Sequence, residues 1–184
     1  MRRLGVLFVA NATWRRVGIL GGVLLAFNAL FFWLGAGLAQ TPDTLGFVGG
    51  DALVECIAGL GPHGIETYQP IALFDLSYPF VYATLLSFLL ALLIAGRRGD
   101  VQGAGGRMLL PWLGAMADWC ENISVLRYLD QVSLAVFLEP GAEPDGTLLT
   151  IWSVAHNAKW AVLGGVVVLL LVELARFQLH RRRR

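Results

Sequence analysis

The chain has 184 residues, of which 57% are hydrophobic and only 15% charged, and its formal net charge is +1. A soluble domain is nearer about half apolar and about a quarter charged, so the composition argues against an ordinary soluble fold, and the near-neutral balance argues against nucleic acid as a partner. Two cysteines, Cys56 and Cys120, offer no disulfide framework and no metal or haem spacing, so neither a metal nor a cofactor is expected.

Four apolar runs follow one another. The first, 17–39, comes after Arg2, Arg3, Arg15 and Arg16 and is too long for the h-region of a signal peptide, which is about 7–15 residues. Gly18, Gly22 and Ala26 give it a small-residue face of the kind that lets helices approach closely. An outer loop, 40–69, carries Asp43, Asp51, Glu55 and Glu66 and no lysine or arginine. Within it, "DALVECIAGLG" predicts a short amphipathic helix, with Asp51 as N-cap, Gly61 as stop, and Leu53, Ile57 and Leu60 at helical spacing.

The second run, 70–95, contains "DLSYPFVY", where Pro79 predicts a kink, and a second small-residue face at Ala83, Ser87, Ala91 and Ala95. Arg97, Arg98 and Arg107 then precede the third run, 108–129. A loop at 139–146 has no basic residue, and the fourth run, 147–172, is followed by Arg176 and Arg181 to Arg184. Each run is near the ~20 residues that a helix needs to cross ~30 Å of hydrocarbon. All basic clusters fall on one side, so the positive-inside rule places both termini in the cytoplasm. The expectation is a single all-α membrane domain over 1–184: a four-helix bundle in a bacterial inner (plasma) membrane with an amphipathic helix in its first outer loop.

The third run is the unusual one, because "MADWCENISVLRYLDQ" holds Asp118, Glu121, Arg127 and Asp130. On insertion scales Asp118 and Glu121 together cost roughly 5–7 kcal/mol, against about 0.3–0.6 gained per large aliphatic or Phe residue. They need partners from other helices. At 1.5 Å per residue, Asp118, Glu121, His156, Lys159, Asp75, Tyr78 and Tyr82 all lie roughly 6–18 Å below the predicted outer boundaries. Asp118, Glu121 and Asn122 share one face, Asp75, Tyr78 and Tyr82 a second, and Trp152, His156 and Lys159 a third. Lys159 is the natural counter-charge. Arg127 points away from Asp118 and is expected to pair with Asp130 at the interface. Trp14, Trp112 and Trp152 read as interfacial belt residues. The same charges would serve equally as a buried salt network that fixes helix register.

The motifs LGxxGxxxY (Leu60 to Tyr68), DxxYPxxY (Asp75 to Tyr82) and DxxEN (Asp118 to Asn122), with Lys159 in the last helix, resemble a set of small uncharacterised bacterial four-helix integral membrane proteins. The resemblance covers about residues 40–165 and implies no activity. The four-helix layout is also similar to that of sterol-isomerase-like (emopamil-binding) proteins, whose cavities use acidic residues. Their motif spacings are absent here, so that likeness concerns fold alone.

The residues therefore point to a polytopic membrane protein with an outward-opening polar site formed by Asp75, Tyr78, Tyr82, Asp118, Glu121, Asn122, His156 and Lys159. It would bind a small amphiphile, a lipid-like molecule or a cation. If it is an enzyme, Asp118 or Glu121 is the candidate acid or base, tuned by Lys159. The alternatives are a structural or assembly subunit, with a partner chain or further copies, and a proton or ion conductor. The expected partners are the bilayer, a lipid or other amphiphilic ligand, and an oligomer or partner chain, with no nucleic acid.

Overall fold

The computed structural model describes residues 2–38, 40–98, 105–137 and 145–182. Among them the chain is all-helical, with no strand: α1 (Arg2–Asn11), α2 (Trp14–Leu34), α3 (Gly50–Asp75), α4 (Tyr78–Arg98), α5 (Gly105–Phe137) and α6 (Gly146–Arg182), plus a 3-10 turn at Pro42–Thr44. The predicted features at Ala39, Gly103, most of the 139–146 loop, Arg183 and Arg184 lie outside the described residues.

Three helical stretches, Trp14–Leu34, Gly50–Gly96 and Gly146–Arg182, are long and apolar enough to cross a membrane. The run at 108–129 is also helical, inside the 33-residue α5, but is not among them. Its charged residues lower its average hydropathy, although its length of about 50 Å is ample.

Local chemistry sets the boundaries. Thr13 Oγ1 accepts the Arg16 backbone N–H at 3.2 Å, a cap that starts α2 before the predicted Val17. The amphipathic helix forms, but its N-cap is Gly49, with Asp51 in the first turn, where a negative charge complements the helix end. Gly61 interrupts α3 with φ 65° and ψ 178°. Only glycine adopts this conformation readily, and the following Pro62 requires an extended residue before it. Residues 62–69, read from the sequence as loop, continue as helix to Asp75. The predicted kink at Pro79 is a full break at Leu76–Ser77, before α4 begins at Tyr78. There the Leu76 carbonyl accepts Trp119 Nε1 at 2.7 Å.

The chain divides into two compact units, one built from Met1–Ala26, Pro79–Ala115 and Trp160–Arg184, the other from Phe27–Tyr78 and Met116–Lys159. The first has an apolar core around Leu90, Ala91, Ile94 and Met108. Its α4 buries Ala83, Ser87 and Ala91, and Ser87 Oγ donates to the Met108 carbonyl at 2.7 Å. Gly18 and Gly22 do not behave alike: no residue of α2 is buried, and a Cβ at either glycine would meet nothing within 4 Å. The buried Glu173 was not singled out in the sequence. Its Oε1 accepts from Arg107 at 3.0 Å and Arg176 at 3.1 Å.

The second unit packs Leu53 and Ile57, from the amphipathic part of α3, with Tyr68, Val125, Tyr128, Leu129 and Trp152. Burying such a side chain contributes about 1.5–3 kcal/mol. Cys56 lies in this core, whereas Cys120 is exposed.

Candidate functional site

The second unit encloses a polar cluster. On α5, Asp118, Glu121 and Asn122 lie on one face by their i, i+3, i+4 spacing, and all three are buried. On α6, Trp152, His156 and Lys159 are buried by the same periodicity. Lys159 Nζ lies 2.5 Å from Glu121 Oε2 and 3.2 Å from Asp118 Oδ1, so one ammonium is shared by two carboxylates. The other oxygen of Glu121, Oε1, is 2.7 Å from His156 Nδ1. Asp75 on α3 is buried as well, and its Oδ2 accepts Asn122 Nδ2 at 2.8 Å.

The arrangement restricts His156. Its Nε2 lies against two carbonyl oxygens, those of Leu45 at 3.0 Å and Gly46 at 2.9 Å, an arrangement that suits a hydrogen on this nitrogen. The 2.7 Å separation of Nδ1 and Glu121 Oε1 is a hydrogen-bond distance and calls for one proton between them. Held by the ring, it gives an imidazolium–carboxylate pair; held by Glu121, it gives a neutral pair. Such a shared proton is what general acid–base chemistry uses. Trp152 stacks on the ring, with centroids 4.8 Å apart, so it is a buried support for His156 rather than a belt residue.

The Leu45–Val48 segment is strapped over the cluster. Besides the two His156 contacts, the Val48 carbonyl accepts Asn157 Nδ2 at 2.9 Å and Ser153 Oγ at 3.1 Å. The segment bonded to the cluster is thus an irregular strap, and the amphipathic helix expected in the outer loop packs in the core. The Pro42–Thr44 turn delivers Asp43, whose Oδ2 accepts the Tyr68 hydroxyl at 2.9 Å. Burial pushes the Asp43 carboxyl above the usual carboxylate range, and the nearby positive charge of Lys159 opposes this. Asp43 Oδ1 is buried without a hydrogen-bond partner among the described residues.

Of the residues singled out in the sequence, Asp75, Asp118, Glu121, Asn122, His156 and Lys159 meet in this cluster. Tyr78 belongs to the same unit. Its hydroxyl accepts Asn28 Nδ2 at 3.2 Å, and its ring lies within 6 Å of Phe27 and Phe31, which in turn pack on Phe74. Tyr82 belongs to the first unit, where it is buried. Arg127 and Asp130 do not pair: Asp130 Oδ1 accepts Gln69 Nε2 at 3.3 Å.

Sequence reasoning missed Asp43 and Tyr68. Tyr68 lies seven residues before Asp75, hence on the same helix face, and that spacing was the available signal. Asp43 gave none, because a strap has no periodicity. Among the described residues no group of three or more His, Cys, Asp or Glu side chains has the arrangement of a metal site. The chain matches no protein-family model, no curated protein and no solved structure.

Proposed function

We propose that this is a polytopic protein of the bacterial inner membrane, crossing it four times with both termini in the cytoplasm, and that the polar cluster is an intramembrane site opening to the outer side. Three stretches carry the length and apolarity of crossings. The remaining crossing is α5, whose charged Asp118 and Glu121 turn inward while Leu113, Met116 and Ile123 are exposed to meet lipid. The distribution of arginines supports the orientation.

The site takes a small cation or an amphiphile bearing a cationic group. The observation that carries this reading is the charge balance. Among the described residues, Asp43, Asp75, Asp118 and Glu121, four carboxyls, gather with two basic side chains, Lys159 and His156. Even with His156 protonated, ionised carboxylates leave an excess of negative charge, and a low-dielectric interior resolves such an excess with protons or a cation. The aromatic group Phe27, Phe31, Phe74 and Tyr78, next to Asp75 in the chain, adds ring faces of the kind that favour organic cations. For an enzyme acting on such a ligand, Glu121 with His156 is the acid–base pair.

A second reading, a scaffold with no ligand, draws on the sharing of Lys159 between Asp118 and Glu121, which makes that part of the network self-contained. The two separate in a thermal-unfolding assay in nonionic detergent with hexylamine, hexanol and hexanoate. A binding site predicts stabilisation by the amine alone, lost when Asp118→Asn, Glu121→Gln and Lys159→Met are combined. An equal response to all three compounds would support the scaffold.

A further inference from the structure

A different feature lies on the outside of the second unit, where Gln69 and Leu73 of α3 and Ile123, Leu126, Arg127 and Asp130 of α5 line a groove of about 300 Å3. The two helices run antiparallel here, because Gln69 bonds Asp130 while Asp75, further along α3, bonds Asn122, further back along α5. Both walls are therefore graded in the same direction. Gln69 and Asp130 mark one end; Leu73 and Ile123 lie toward the other. Along α5 the charged groups begin about 6 Å beyond Ile123 and extend to about 10 Å.

The chemistry follows the same gradient. Leu73 and Ile123 are 61% and 53% exposed, large apolar side chains left open at the groove's lower end. At the upper end Arg127 is exposed and has no ion pair or hydrogen bond among the described residues. Asp130, one helical turn away, is exposed and is held by Gln69 through Oδ1. A cation and an anion thus stand side by side above an apolar trough.

We infer that this groove binds one phospholipid whose headgroup carries a phosphate and a primary ammonium, the phosphate on Arg127, the ammonium on Asp130, and the start of an acyl chain along Leu73, Ile123 and Leu126. The inference rests on the membrane placement proposed above but not on the buried cluster. Placed in that way, the charged end faces the outer headgroup layer and the apolar end faces hydrocarbon. Asp130 repels a purely anionic headgroup, and the outer loop 40–69 has no lysine or arginine to offset it. The small volume suits a headgroup and a chain segment rather than a second helix.

The test is native mass spectrometry of the delipidated full chain in detergent, titrated with phosphatidylethanolamine or phosphatidylglycerol of identical chains. The wild type should retain one phosphatidylethanolamine in preference to phosphatidylglycerol. Arg127→Gln should weaken that retention about tenfold, as loss of a charge-assisted contact does. Asp130→Asn should reverse the preference toward phosphatidylglycerol. Both residues are exposed, so circular dichroism should show unchanged folding. Equal retention of the two lipids by all three proteins, or a change of oligomeric state in either variant, would overturn the inference. Extraction of the chain from cells without detergent would instead overturn the membrane placement, and is scored first.

Discussion

Replacing Lys159 with methionine removes the one ammonium that serves two buried carboxylates. Nζ lies 2.5 Å from Glu121 and 3.2 Å from Asp118, and the side chain is almost wholly enclosed. Removing one member of a buried ion pair costs about 3–5 kcal/mol, because the remaining charge stays desolvated. Glu121 keeps its contact with His156 at 2.7 Å, so most of that cost falls on Asp118. In the combined variant Asp118→Asn, Glu121→Gln, Lys159→Met, no member of the triad is charged and shapes are nearly kept, so its stability should lie close to that of the wild type. The gap between single and triple variants is then about 3 kcal/mol or more, over a hundredfold in the unfolding equilibrium. Denaturant titration in detergent micelles, followed by circular dichroism, measures it. If the single variant is as stable as the wild type, or the triple is as unstable as the single, the electrostatic account of this network is wrong.

Three further outcomes are expected. Gly61→Ala forces a side chain into a φ of 65°, and should destabilise by about 1–3 kcal/mol in the same titration. Burial raises the Asp43 carboxyl, so its contribution is complete below the unfolded value of about 3.9 and is lost as pH rises through the folded value. Asp43→Asn should therefore stabilise the protein at neutral pH and remove this decline from a stability–pH profile. Reporter fusions at either terminus and at Gly103 should be cytoplasmic, and one at Gly49 external; the opposite pattern would invert the topology drawn from the arginines.

What the sequence disclosed and what it hid follow one physical division. Residues on helices were legible, because a 3.6-residue period fixes which side chains can meet: Asp118, Glu121, Lys159 and His156 were placed by depth and face, and they are in contact. Gly61, expected as a stop, marks the interruption of α3 because it and the following Pro62 restrict the backbone locally, although the helix resumes beyond them. The strap was not legible. Leu45, Gly46 and Val48 contribute backbone carbonyls, which have no sequence signature, and Asp43 is carried by a turn whose direction depends on what it packs against. Tyr82 was a different case. It shares a periodic face with Asp75, but the break at Leu76–Ser77 separates the two helices, so the period does not run through both.

The same distinction between composition and face decides how α5 should be regarded. A window average counts Asp118, Glu121, Arg127 and Asp130 against it, wherever they point. Yet Asp118 and Glu121 are enclosed and paired with Lys159, and Asn122 is bonded to Asp75. Arg127 and Asp130 stand at least four residues beyond the exposed Ile123, about 6 Å toward one end of the helix, where charges can reach a headgroup layer. What α5 would present to hydrocarbon is then Leu113, Met116 and Ile123. The roughly 5–7 kcal/mol that its two carboxylates cost an isolated helix is offset once Lys159 and His156 of α6 are beside them. On the membrane placement proposed above, insertion of α5 and assembly of the site would be one event, and a variant lacking Lys159 should weaken both together.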